Sequence, residues 1–561
     1  MWTMNRLSPL RIGPLLAALL ALSNGLLMLS HAVHTANGAP ALPIDDAYIH
    51  LQYAWQAAQG HFLQYNPGDP PTTGETSLLY MLLLAAGFAL GIGRAAMPGV
   101  AVHLGLMLFP LAAALLTDLT RRLAEATERG AGMGHEGTRH AASLLPPWSV
   151  GLLGGVLFAG SGWMGYAYST GMETGLVITL VIGTLWALAA RRVRLTAGLA
   201  SLLVLTRPEM LLLPLVLLAA AWLIHDPDEA PDRQRRRLWA LVPLGVAAVP
   251  PLMNLILTGT PAATGLQAKS WLTIVPFYVD RVGGEIAGTA LHLLIGLLNG
   301  PGLDGRWHAF PLAGALGLIG LGVLGARGGG TERRLALAGL GWVILGAAAT
   351  ATLQTATWHH YRYQMPLYPA LLPPLALALA GLGNALAGRL RGIGRAAVRA
   401  ALLAFLILWT AHTMSDFSAA YRLDTETVLT QQIVLADWLR ENTPPDARLA
   451  VHDVGAMRYL GERATVDVVG LTTSGMAQAN RNGPGAIYEA LENVQPDYYA
   501  IYPDAAPPYQ GLGWTGDLIG EELFRVSIDP WSPYASASGT QVVARPDWSG
   551  AARAETPQQP W

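Results

Sequence analysis

The 561-residue sequence contains no cysteine. That excludes disulfides and removes thiolate metal sites and thiol nucleophiles from its chemistry. Charge is scarce as well: charged residues make up 13% of the chain and the net charge is -2, so the basic footprint of a nucleic-acid binder is missing. Lysine is nearly absent, Lys269 standing alone among 35 basic residues. What fills the chain instead is apolar. Hydrophobic residues reach 52% and the mean hydropathy is +0.36, in repeated runs that read as a multi-span membrane protein. After Met414 no apolar run approaches the roughly 20 residues that cross a bilayer. The chain therefore divides into a membrane part, residues 1–415, and a polar part, residues 416–561.

Arginine clusters set the topology. Residues 14–33 follow Arg6 and Arg11 and read as a first span with the N-terminus in the cytoplasm. Arg121, Arg122, Arg129 and Arg139 mark 118–146 as cytoplasmic, which leaves room for one crossing, 98–117, after the first external loop, 34–97. The short run 77–91 is then a juxtamembrane helix on the outer face. The same parity gives spans at 148–165 and 175–190. A hairpin follows over 195–224, broken at Arg207-Pro208-Glu209, where proline lacks an amide hydrogen and biases the residue before it away from helix. Further spans follow at 238–257, 309–326, 335–352, 366–385 and 400–414, with 284–299 a second surface or re-entrant helix. The expectation is about 11 transmembrane helices. The polar part begins with a helix through Ile433, Leu435 and Leu439, stopped by Pro444-Pro445. β-Rich runs follow at 448–451, 464–469, 498–502, 523–528 and 541–544. The predicted fold class is mostly α, with a small extracytoplasmic α/β domain at the C-terminal end.

Within that frame the adjacent carboxylates Asp45-Asp46 stand out. One reading makes them a helix cap, their charge favoured at the positive end of the dipole; the other makes one of them catalytic. Topology places Asp45, Asp46, Glu173, Arg207, Glu209, Lys269, His359, His360 and Arg362 on the same outer side. Ionisable groups at membrane depth are costly and tend to face a cavity or one another. Carboxylates and fixed cations together suit a reaction that takes a proton from a hydroxyl while a phosphate leaves. Structural readings stay open beside this one. Arg207 and Glu209 suit a neutralised pair, and Trp358, Tyr361, Arg362 and Tyr363 suit an interfacial belt.

The sequence also resembles a known family. Asp45-Asp46-Ala47-Tyr48-Ile49, Tyr53-Ala54, Tyr65-Asn66-Pro67-Gly68-Asp69 and Gly74-Glu75-Thr76-Ser77 resemble the first external loop of bacterial GT-C glycosyltransferases, nearest to the mycobacterial-type terminal arabinofuranosyltransferases. Gly171-Met172-Glu173-Thr174, Thr206-Arg207-Pro208-Glu209, Gly259-Thr260-Pro261 through Lys269, Tyr361-Arg362-Tyr363, His452-Asp453-Val454-Gly455 and Val466-Asp467-Val468-Val469-Gly470-Leu471 extend the likeness. Thr264-Gly265 departs from it, standing where a tighter Pro-Asn-Thr run is expected.

The resemblance implies a multi-pass protein of the bacterial cell membrane that transfers a sugar, arabinofuranose by the nearest relatives, from a polyprenyl-phosphate donor. The acceptor would be a cell-envelope glycan or glycolipid, with inversion at the anomeric carbon and no nucleic-acid partner. Asp45 or Asp46 would be the base. Consecutive helical residues point about 100° apart, so one of the two faces the acceptor. Asp45 is preferred, with Asp46 orienting it, capping the helix or helping to hold a divalent cation (Mg, Mn or Ca). Lys269, Arg207 and Arg362 would hold the donor phosphate, and Tyr48, Glu173, Glu209, His360 and Tyr363 would line the substrate pocket. Two other classes share part of this pattern: a transporter or flippase of lipid-linked sugars, and a non-catalytic envelope assembly protein.

Overall fold

The computed structural model describes residues 9–35, 38–132, 145–224, 233–300, 312–390, 393–503 and 520–549. Among these residues, 6 helices are long and apolar enough to cross a membrane, or up to 8 if each of two bent pairs is one span. Shorter apolar helices of 10–17 residues fill the bundle between them. One of these, Leu78–Ala89, has 12 residues and is about 18 Å long, which suits the surface helix expected there. The predicted hairpin is two 12-residue helices, Val193–Val204 and Leu212–Leu223, separated by a 3-10 turn over Pro208–Leu211. Two things differ from expectation: fewer helices than the expected set of about 11 reach span length among the described residues, several expected spans being short or bent, and one surface helix is longer than predicted. Where a surface helix over 284–299 was predicted, Val279–Asn299 forms a 21-residue helix that passes the length and apolarity of a span. Its last turns pack inward, with Gln364 Nε2 donating to the Leu293 carbonyl at 2.7 Å and Tyr368 Oη to that of Leu297 at 3.1 Å.

A bend of 59° separates Pro147–Ala159 from Gly162–Ser169. The break frees backbone carbonyls inside the bundle, where an unpaired polar group is costly. Asn24, fully buried in the first helix, answers this: its Nδ2 donates to the carbonyls of Ala159 and Ser161, each at 2.9 Å.

The polar part holds a five-stranded sheet in the order β2-β1-β3-β5-β4. The strands are β1 Arg448–Val451, β2 Ala464–Asp467, β3 Tyr498–Ile501, β4 Glu521–Ser527 and β5 Thr540–Arg545. β1 runs parallel to β2 and β3, whereas β5 is antiparallel to β3 and β4. Side chains alternate across a strand, and here the two faces have different partners. Ala450, Val466, Tyr499, Ile501, Val542 and Ala544 pack with Met476, Ile487 and Leu491 of the domain's own helices. Leu449, Val451, Ala500 and Val543 instead belong to the same core as the membrane helices. The helix Ile393–Val428 also runs through the 415/416 division without a break.

Wedged between the two parts is the helix Asp46–Ala58, with every residue from Ala47 to Ala54 buried. A helix covered on all sides needs partners on all sides, and the loop after it supplies the outer ones. Tyr65 Oη donates to the Val454 carbonyl at 3.0 Å and Asn66 Nδ2 to that of Thr465 at 2.9 Å. Arg458 Nε returns to Asn66 Oδ1 at 2.7 Å, and Arg448 pairs with Asp69 at 2.8 Å. The run Tyr65-Asn66-Pro67-Gly68-Asp69 therefore docks its loop on the C-terminal sheet domain.

Candidate active site

Segments distant in sequence converge on a cavity of about 690 Å³, counted to its open mouth. Its lining includes Asp46, His50, Glu173, Arg207, Glu209, Lys269, Arg362, Tyr363 and Leu471. Asp46 comes from the first turn of the wedged helix, and His50, four residues on, shares its face. Lys269 ends the short helix Thr264–Lys269. That helix is tied to the first loop by a reciprocal pair, Thr264 N to Thr73 Oγ1 at 2.8 Å and Thr73 N to Thr264 Oγ1 at 3.2 Å. Thr264, the departure from the family pattern, thus serves as the anchor of the lysine. Leu471 forms the outer rim. Its loop is shaped by Asp467, whose carboxylate accepts from the amides of Val469, Gly470, Leu471 and Thr472 at 2.6–3.0 Å. Gly74 passes so close beneath that a Cβ there would lie 2.2 Å from the Leu471 carbonyl oxygen.

One oxygen of Asp46 collects the cations. Its Oδ2 lies 2.6 Å from Arg362 Nη2, 3.2 Å from Lys269 Nζ and 4.0 Å from His359 Nε2. Burial alone would raise its pKa, but Lys269 and Arg362 outweigh it and hold the carboxyl well below the usual carboxylate range.

Asp45 points the other way. Its two oxygens accept from the amides of Gly455, at 2.8 Å, and Ala456, at 2.7 Å, and it does not line the cavity. Burial and the nearby Asp453 push its pKa up despite those amides. The preference for Asp45 as the cavity-facing residue is therefore corrected. Asp46 faces the cavity, and Asp45 fastens the helix to the C-terminal sheet domain.

Behind the cavity runs a buried chain of charge. His50 bridges Glu75, through Nδ1, and Glu173, whose Oε2 lies 3.0 Å from Nε2. Glu173 Oε1 in turn holds Arg207 Nε at 2.6 Å, and Arg207 Nη2 donates to Thr174 Oγ1 at 3.0 Å. Burial would lower the pKa of His50, but Glu75 and Glu173 raise it to about 10, so at neutral pH it is an imidazolium. Among the described residues Arg207 Nη1 is buried with no hydrogen-bond partner, 3.9 Å from Glu209 Oε1. Arg207 thus pairs with Glu173 more closely than with Glu209.

A left-handed turn completes the site. His359, His360 and Tyr361 have φ of 51°, 55° and 60°, a conformation that costs on the order of 1–2 kcal/mol per residue without glycine. Buried contacts hold it. Trp163 Nε1 donates to the His360 carbonyl at 2.7 Å, His360 Nε2 lies 2.9 Å from Asp424 Oδ2, and Tyr166 Oη donates to the same Asp424 oxygen at 2.6 Å. The turn sends His359 towards Asp46 and brings Arg362 in behind it, while His360 goes to Asp424. The pocket placement expected of His360 is corrected on that ground. Tyr48 is likewise outside the cavity, its hydroxyl accepting from the Leu42 amide at 3.1 Å. Two residues beyond Asp46, it sits about 200° round the helix.

Of the expected site residues, Asp46, Lys269, Arg207, Arg362, Glu173, Glu209 and Tyr363 come together. His50, His359 and Leu471 were missed as site residues. The spacing of His50 from Asp46 was the signal for the first; His359 was already grouped with the other ionisable residues of one side, and Leu471 lies in one of the motifs that carry the resemblance. A divalent cation does not fit this donor set. Asp46 already faces an ammonium and a guanidinium, and among the described residues no group of three or more His, Asp or Glu is placed to hold a metal ion. A second cavity, about 630 Å³, is lined by Arg191, Arg192, Arg236 and Arg334 and by no carboxylate, so it offers no base.

Comparison with known proteins adds the following. A family model described as a domain of unknown function, DUF8728, matches residues 421–553, the end of the long helix and the outer domain. No curated protein matches the sequence. Among solved structures, the archaeal oligosaccharyltransferase AglB from Archaeoglobus fulgidus, in complex with an inhibitory peptide and a dolichol-phosphate, aligns at TM-score 0.51 and 14% identity over 95% of this chain and 74% of that one. ArnT from Cupriavidus metallidurans bound to undecaprenyl phosphate aligns at TM-score 0.53 and 14% identity over 94% and 97%, and its apo state at 0.53 and 14% over 96% and 98%. At such identity the likeness is one of architecture: the chain has the polytopic membrane GT-C fold, with a small sheet domain at its C-terminal end.

Proposed function

We propose that the protein is an inverting glycosyltransferase working on the extracytoplasmic face of the membrane. It moves a sugar from a polyprenyl-phosphate donor to a hydroxyl of a cell-envelope glycan or glycolipid. The observation that carries this reading is the cavity in which Asp46 meets Lys269 and Arg362, with Arg207, held by Glu173, on the same lining. Asp46 takes the proton of the acceptor hydroxyl as that oxygen attacks the anomeric carbon. The bond from that carbon to the phosphate oxygen breaks, and its electron pair leaves with the lipid phosphate. Fixed cations aimed where charge develops stabilise such a step without reorganisation, the role assigned to Lys269, Arg362 and Nη1 of Arg207, which has no hydrogen-bond partner among the described residues. Glu173 fixes Arg207, while Glu209 and Tyr363 line the sugar's side of the cavity. The solved GT-C structures with dolichol-phosphate and undecaprenyl phosphate support the donor class. Arabinofuranose is the sugar that the sequence resemblance favours.

The test is direct transfer. Purified protein in detergent receives a panel of polyprenyl-phosphate sugars and an oligosaccharide acceptor, and product is read by mass spectrometry. Transfer lost in Asp46→Asn is the expected result. No transfer across the panel, with movement of the lipid-linked sugar across proteoliposomes instead, would replace this reading with a flippase.

A further inference from the structure

The arrangement of Asp46 poses a chemical problem for the reading above, on which this inference rests. A base needs proton affinity, yet one oxygen of Asp46 is shared by Arg362 Nη2 at 2.6 Å and Lys269 Nζ at 3.2 Å, and their charge lowers the basicity of the whole carboxylate. Cations this close make a carboxylate a poor proton acceptor. Asp46 and Lys269 meet at the cavity's edge, where they retain side-chain exposures of 20% and 17%. Arg362 also has a buried Nε with no hydrogen-bond partner among the described residues, as Arg207 has at Nη1. The cavity therefore holds buried donors that the described residues leave unsatisfied, beside a carboxylate that has more cation than it needs. Buried unpaired donors are costly, and an anion with several oxygens is the ligand that would satisfy them.

We propose that the donor's phosphate is the trigger that frees Asp46: it draws Lys269 and Arg362 onto its own oxygens, so the donor must seat before the carboxylate can take the acceptor's proton. Arg207 does not change partners, because Glu173, itself paired with His50, holds its Nε side. The order follows from charge. Without the donor, Asp46 is an ion-pair partner; with it, the same group is a half-buried carboxylate whose cations are engaged elsewhere, which makes it a better base. Facing Asp46 are the cations Lys269 and Arg362, the neutral imidazole of His359, whose pKa burial and Arg362 push down to about 3, the phenol of Tyr363, and Asp45 and Asp453 on the acidic side. Glu173 and Glu209 lie farther round the same cavity.

Binding of a non-reacting donor mimic to the full-length protein tests this. A short-chain prenyl methyl phosphodiester carries one charge and does not titrate in the working range, so any proton taken up on binding comes from the protein. Calorimetric titrations in two buffers of different ionisation heat report that uptake. The expected result is uptake rising towards about one proton per site between roughly pH 6 and pH 4, and none in Asp46→Asn, which still binds the probe. Binding without uptake by the wild type overturns the proposal and leaves the glycosyltransferase reading standing. Uptake of the same size in Asp46→Asn also overturns it, since Glu209 or another carboxyl would then be the responding group. No binding at all overturns both, a result the transfer assay checks separately.

Discussion

The carboxylate of Asp45 accepts a hydrogen bond from the amide of Gly455 at 2.8 Å, across 410 residues of sequence. This contact joins the helix that carries Asp46 to the outer domain, and it depends on the absence of a side chain at Gly455. A Cβ built there would lie 2.1 Å from the Asp45 carbonyl oxygen, a backbone atom with little freedom to yield. Gly455→Ala should therefore push the helix and the outer domain apart. The expected cost is about 1–3 kcal/mol of stability, the usual range for overpacking, together with a fall in transfer. Thermal unfolding and the transfer assay on the same preparation check both.

The two aspartates should separate cleanly in substitution. Asp46→Asn removes the proton acceptor and should lower turnover by about 10²–10⁴-fold, the range of general-base catalysis, while the donor still binds. Asp45→Asn leaves the cavity intact but replaces one acceptor of the Gly455 and Ala456 amides with an amide nitrogen. Its expected effect is a loss of roughly 1–3 kcal/mol of stability, with turnover per folded molecule retained. Equal losses of turnover in both variants would count against assigning the base to Asp46.

Lys269 and Arg362 should act mainly on the donor. Lys269→Met removes a cation 3.2 Å from Asp46 while keeping an unbranched apolar stem in its place. Weaker use of the lipid donor, seen as a raised donor KM with the acceptor KM little changed, is the expected outcome. Arg362→Lys should be more damaging than its charge suggests, because the guanidinium also reaches Met172 Sδ and Tyr363 Oη, each at 3.1 Å, and an ammonium lacks that fork. Unchanged donor kinetics in both variants would remove these residues from the phosphate site.

How much of this was legible in the sequence depends on what each feature needs. Charged residues are so sparse that counting arginines groups Lys269, Arg207, Glu173, Glu209 and Arg362 as an expected outer-face set, and the structure gathers the same residues at one cavity. The five β-rich runs were equally readable, since each is short, rich in strand-forming residues and bounded by turn residues. What stayed hidden depends on rotation and on unusual backbone. Choosing between Asp45 and Asp46 requires the phase of a helix buried on all sides, and that phase is set by Gly455, far away in sequence. Separating His359 from His360 requires a left-handed turn of three non-glycine residues, which no residue propensity announces.

The buried imidazolium of His50 should make stability depend on pH. Its pKa rises from the unfolded value, near 6.5, to about 10 in the fold, because Glu75 and Glu173 outweigh the cost of burial. A group raised in this way contributes stability that is fully present below its unfolded pKa and is lost as pH climbs through the folded one. Stability should therefore decline between about pH 6.5 and pH 10, by on the order of a kcal/mol or more, since a tenfold gain in proton affinity on folding is worth about 1.4 kcal/mol. Thermal unfolding measured across that range tests the slope. In His50→Gln the slope should flatten, and the donor KM should rise as well, because Glu173 loses the partner that steadies its grip on Arg207. A wild-type melting temperature that is level from pH 6.5 to pH 10 would mean that His50 is neutral in the fold. Its link to Glu173 would then be an ordinary hydrogen bond rather than part of a charged chain.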